Sequence, residues 1–147
     1  MASYRGVHRT PAGTNLSVLC VESTATVVGK IDQLILGSRS TPADVATELV
    51  ALRLTALGVG GTAVLEKPDD PQMPTASCNL RGGTMTEPTY EADFLLEIDL
   101  NQRATFLWNA NPGRELRTTA GATNGIGVRS IQSGGTPDIG ITMGWSE

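Results

Sequence analysis

The sequence predicts an all-β protein, an antiparallel β-sandwich of jelly-roll type, and three observations lead there. Apolar residues alternate with polar or small ones in several short runs, the period-two signature of strands with one buried face. The 147 residues include 17 Gly and 8 Pro, which punctuate those runs at turn positions. Charged residues make up only 18% of the chain, below the usual quarter, a profile of many short strands joined by tight turns. About eight strands are expected in one domain over residues 16–147, preceded by an extended N-terminal arm over residues 1–15.

The arm, Met1 to Asn15, has no regular pattern and carries Tyr4, Arg5, His8 and Arg9, its basic groups standing out in an acidic chain. Leu16 to Val21 and Lys30 to Leu36 read as strands, with Gly29 and Gly37 as punctuation. Thr41-Pro42-Ala43-Asp44 has the chemistry of a helix start. Val45, Leu49, Leu52 and Ala56 then keep helical spacing, while Val50, Leu52 and Leu54 alternate as in a strand. The reading adopted is a brief helical turn at 42–46 and a strand over 47–56, with a full helix as the alternative. Gly58-Val59-Gly60-Gly61 marks a turn into Thr62 to Leu65, and Pro68, Pro71 and Pro74 make Lys67 to Thr75 an extended loop.

In the second half, Phe94, Leu96, Ile98 and Leu100 share one face, and Asp93, Glu97 and Asp99 the other, giving a strand with an acidic outer surface. Asn101-Gln102 turns into Thr105 to Asn109, where Phe106 and Trp108 fall on one side. Pro112-Gly113 turns the chain again into Arg114 to Arg117. Ile126 to Ile131 forms a strand, and Ser133 to Asp138 has the residues of a hairpin turn. In the last strand Ile139, Ile141, Met143 and Trp145 alternate with Gly140, Thr142, Gly144 and Ser146, one face buried and one bare. Aromatic side chains bury about 150–250 Å² each, so Phe94, Phe106, Trp108 and Trp145 are the expected core anchors.

Composition bears on function chiefly by exclusion. A net charge of −4 with 11 scattered basic residues does not suit a nucleic-acid groove, which needs clustered cations. No apolar stretch follows the N-terminus and none is long enough for a membrane helix, so neither a signal peptide nor a membrane partner is expected, and synthesis in the cytoplasm is. Cys20 and Cys78 read as two small buried residues, with a disulfide between them as the sharper alternative. The single histidine, His8, matches no catalytic or zinc spacing with them. Asp69-Asp70, and Glu97 with Asp99, read as solvated carboxylates. The segment Gly121 to Gly127 lacks the lysine and helix of a phosphate loop, and its Asn124-Gly125 is a turn. Arg103 is expected to pair with Glu97 or Asp99, or failing that with a neighbouring subunit. The expectation is a protein without catalytic residues, metal or cofactor.

Asn101 to Trp108, Pro112 to Leu116 and Asn124 to Gly127, with Thr41 to Asp44 and Glu87 to Tyr90, resemble small proteins encoded among the structural genes of tailed phages. The resemblance covers residues 38–147 and consists of turn-and-strand signatures. It implies a jelly-roll-like sandwich in the virion: a capsid decoration or cement protein that forms a homotrimer and binds the major capsid protein or another virion protein. The N-terminal arm would make that contact, so that removing residues 1–12 is expected to abolish capsid binding and leave the domain folded. The alternatives are a tail, collar or fibre-base protein of the same fold, and a β-sandwich that binds host glycans.

Overall fold

A computed structural model describes residues 2–39, 42–133 and 137–147. Its organising feature is that the strands pair first with last. β1 (Ser3–Pro11) pairs with β13 (Asp138–Ser146), and β2 (Leu16–Glu22) with β12 (Gly125–Ser133). Likewise β3 (Lys30–Arg39) pairs with β10 (Thr105–Asn109), and β4 (Ala46–Ala56) with β9 (Leu96–Asn101). The chain is thus folded back on itself, and rolling it up sets β13 beside β3 and β12 beside β4, all antiparallel. Sheet A contains the order β1-β13-β3-β10 and sheet B the order β2-β12-β4-β9. This is jelly-roll topology, eight strands in two packed sheets.

The remaining strands are additions to that roll. β5 (Val59–Val64), β6 (Lys67–Pro68), β7 (Asn79–Thr86) and β8 (Thr89–Tyr90) all lie between β4 and β9 in the chain. β7 joins sheet B beside β2 with β5 outside it, β8 pairs with β4, and β6 pairs with β1 in sheet A. β11 (Leu116–Arg117) pairs with the start of β3. The expected turn at Gly60-Gly61 is a bulge within β5, where both glycines take positive φ (78° and 76°), a region that costs a side-chain-bearing residue free energy.

Between the sheets lies a core of Val18, Leu19, Val21, Ile31, Leu34, Leu36, Ile126, Val128, Ile139, Ile141, Met143 and Trp145, each at most 1% exposed. Alternation puts most of them there: β13 presents Ile139, Ile141, Met143 and Trp145 inward, and β3 presents Leu34 and Leu36, with a register shift opposite Gly144/Trp145 bringing Ile31 to the same face. Trp145 is an anchor as expected, and Phe106 and Trp108 pack against the core half-buried. Phe94 is not an anchor: it precedes β9 and is 49% exposed.

Four other expectations are corrected by the topology. The first 15 residues are not a free arm, since β1 runs through sheet A between β13 and β6. β12 and β13 are not a hairpin, because they belong to different sheets, and residues 134–136 of the expected turn lie outside the described residues. No helical turn forms at 42–46: Pro42 and Ala43 belong to no regular element, Asp44 and Val45 bend, and β4 begins at Ala46. Gln102 holds this entry, accepting from the Ala43 N–H (3.1 Å) and donating its own N–H to the Val45 carbonyl (3.2 Å), while β9 and β12 satisfy the strand that follows. Thr41, the expected cap, lies outside the described residues. Finally, β3 does not stop at Gly37 but continues to Arg39.

Candidate functional site

The outer face of sheet A carries an open hollow, and strand register builds it in rows. Residues directly opposite one another on neighbouring strands share a face. One row runs Val7, Thr142, Ile35, Leu107 across β1, β13, β3 and β10. Val7 is 67% and Leu107 56% exposed, and Leu65, 74% exposed, flanks Val7 beside Lys67 and Pro68. Thr142 and Ile35 between them are half-buried, so the exposed apolar surface of this face gathers at Leu107 and around Val7 and Leu65.

The next row is Arg9, Gly140, Gly37, Thr105. Two adjacent glycines leave the middle of the sheet bare, and with the apolar row they form a trough of about 600 Å³ rimmed by Arg9 and Arg39. Neither glycine is demanded by its surroundings. A Cβ at Gly140 would meet only the Gly37 carbonyl oxygen at 3.8 Å, and one at Gly37 only Thr105 Oγ1 at 3.8 Å. The bareness is therefore a property of the surface and not a packing requirement.

On the other side of the apolar row lies a polar ladder. Arg5 donates from Nε to Asp69 Oδ1 (2.8 Å) and from Nη1 to Gln33 Oε1 (3.1 Å), and Gln33 donates onward to Asn109 Oδ1 (2.9 Å). Gly144 lies between Arg5 and Gln33 in register. Asp32, beside Gly144, has its carboxyl held above the ordinary range, first by burial.

Charge is distributed unevenly over the fold. The six strands of sheet A carry Arg5, Arg9, Lys30, Arg39, Lys67 and Arg117 against two acids, Asp32 and Asp138, although the chain as a whole is −4. Between Arg81 and Arg103 there are five acidic residues and no basic one, ending in β9. Its Glu97 and Asp99 are exposed, giving the acidic outer strand that alternation predicts. Arg103 makes an ion pair with neither, and among the described residues its recorded bond is the backbone N–H to Asn101 Oδ1 (2.9 Å).

Of the expected contact residues, Arg5 and Arg9 point outward on this face, whereas Tyr4 and His8 point inward. Tyr4 is 2% exposed and stacks on Trp145. His8 lies against Gly82, where a Cβ would come within 2.4 Å of the imidazole, and its Nε2 is buried without a partner among the described residues. Cys20 and Cys78 are both free and buried. They cannot join, because Cys78 faces the inter-sheet core with Leu19 and Val21, while Cys20 faces Tyr90 on the opposite side of sheet B.

That opposite side holds a cluster that no local pattern announces. Glu87 accepts from the Ser17 backbone N–H (3.0 Å) and from its hydroxyl, which also meets the Tyr90 hydroxyl. Tyr90 Oη lies 3.6 Å from Cys20 Sγ, and the Arg129 guanidinium sits 5.3 Å over the Tyr90 ring. Burial pushes the Cys20 thiol up to about 12 and raises the Tyr90 hydroxyl as well, so neither supplies an anionic nucleophile near neutral pH. The cluster fastens the segment around Glu87–Tyr90 to sheet B across Gly127, whose missing Cβ would fall 2.6 Å from Tyr90 Oη.

Comparison with protein-family models, with curated proteins and with solved structures found no match to this chain.

Proposed function

We propose that this jelly roll is a non-enzymatic structural protein of a tailed-phage virion, a decoration or cement protein that binds the major capsid protein and strengthens the shell. The observation that carries the reading is the pair of exposed apolar side chains Val7 and Leu107 at the two ends of one row of sheet A, beside a bare glycine trough. A broad, open, partly apolar sheet face suits a partner surface better than a small substrate. The turn-and-strand resemblance to phage structural proteins supports the same role. Many copies on a repeating shell would add modest individual contacts into firm attachment.

The test is to add the purified protein to shells that lack it and to measure occupancy and the temperature of shell rupture. Wild-type protein should fill regular sites and raise the rupture temperature. The variant Val7→Asp with Leu107→Asp, both outward and tolerable to the fold, should leave the shells bare. Binding of wild type to isolated tails and not to shells would move the protein to a tail, collar or fibre base. Binding to glycans alone would favour the host-recognition alternative.

A further inference from the structure

The uneven charge and the two kinds of exposed apolar surface belong together. Sheet A presents cations around a hollow: Arg9 and Arg39 are both exposed and make no ion pair among the described residues, whereas Arg5 is already neutralised by Asp69. The approach to β9 presents the converse, anions around a projection. Asp93, Glu97 and Asp99 are exposed there, and Phe94 stands among them with 49% of its surface in solvent. Among the described residues β9 pairs with β4 alone, which makes it an edge of sheet B.

We infer that the outer face of sheet A in one copy receives the Asp93–Asp99 edge of a second copy, head to tail. Phe94 would seat on the apolar row beside the Gly37–Gly140 trough, and Arg9 and Arg39 would face Glu97 and Asp99. Asp138 and Asp32 are the two acids on the receiving sheet, and both are outnumbered there. The contact uses two different patches of one chain, so it is heterologous and closes into a ring or continues as a chain of copies. This inference rests on sheet A being an assembly face: the edge of a second copy covers it in solution, and that copy has to leave before the same face meets the shell.

Sedimentation velocity of the isolated full-length protein tests it, at low and high salt, with circular dichroism as the check on folding. Two charge-reversed variants are needed: Arg9→Glu with Arg39→Glu on the face, and Glu97→Lys with Asp99→Lys on the edge. Wild type should associate at low salt and weaken as salt rises. Each variant alone should raise the dissociation constant by roughly tenfold or more, because face and edge then carry the same sign. Mixing the two variants should restore association, since every face then meets an edge of opposite charge. Wild-type protein that stays monomeric, an edge variant that associates like wild type, or a mixture that stays dissociated would each overturn the inference. A monomer that still saturates shells would overturn it while leaving the virion reading intact.

Discussion

The ring of Tyr4 stacks on that of Trp145, centroids 5.7 Å apart and planes 27° off parallel, joining the first strand to the last in the interior of the roll. Glu147 extends the closure: its N–H donates to the Ala2 carbonyl (3.1 Å), and its carboxylate accepts from the Ser77 and Cys78 N–H groups. Tyr4→Ala should therefore destabilise the protein by about 3–5 kcal/mol, the range for truncating a large buried aromatic. Deleting residues 1–12 should unfold the domain outright. Urea denaturation followed by tryptophan fluorescence checks both, and a truncated protein that unfolds cooperatively like the full chain would show that β1 is dispensable.

Both thiols are buried and pushed up to about 12, chiefly by burial. A thiol-reactive probe at pH 8 should label neither cysteine in the native protein and both in denaturant. Under oxidising conditions the intact mass should remain that of the reduced chain, because the two side chains face opposite sides of sheet B.

His8 gives the pH dependence a definite sign. Burial lowers its pKa below the ordinary 6.5, so the unfolded chain binds a proton that the folded chain resists. Stability from this source is complete above about pH 6.5 and declines as pH falls toward the folded pKa, below which the loss levels off. Melting temperatures measured from pH 7.5 downward should show this decline in wild type. His8→Leu should remove it while leaving the carboxylate-driven loss at lower pH.

Two glycines on opposite sheets should behave in opposite ways. Gly127→Val would drive a side chain into Tyr90 Oη (2.6 Å from the Cβ) and Cys20 Sγ (2.8 Å), and should cost about 1–3 kcal/mol. Gly140→Val has room and gains a β-branched residue in a strand, so its melting temperature should hold or rise. The same change fills the trough of sheet A and should weaken shell binding. Thermal melts and the occupancy assay together separate the two.

How much of this was legible in the sequence depends on the range of the interaction that decides it. Local alternation found the strands around Leu100, Trp108, Val128 and Trp145, and it found the bare face of β13 at Gly140, Thr142 and Gly144. It could not find that Gly37 lies beside Gly140, because that neighbour comes from register between strands far apart in the chain. Gly37 reads locally as a stop. The supposed hairpin failed for the same reason, since turn residues after Ser133 suit a link between sheets as well as one within a sheet. Phe94 was misplaced because alternation was extended past the start of β9. The Ser17–Glu87–Tyr90 cluster left no signal, its members being brought together only when β8 settles on β4.

The most direct test of the central claim, that this jelly roll is an assembly unit joined through the outer face of sheet A, is a cryo-EM map of particles assembled with this chain. Density for the roll should appear on the shell, with Val7, Ile35 and Leu107 covered by protein. Particles that lack the chain, or that carry it with sheet A open to solvent, would contradict it.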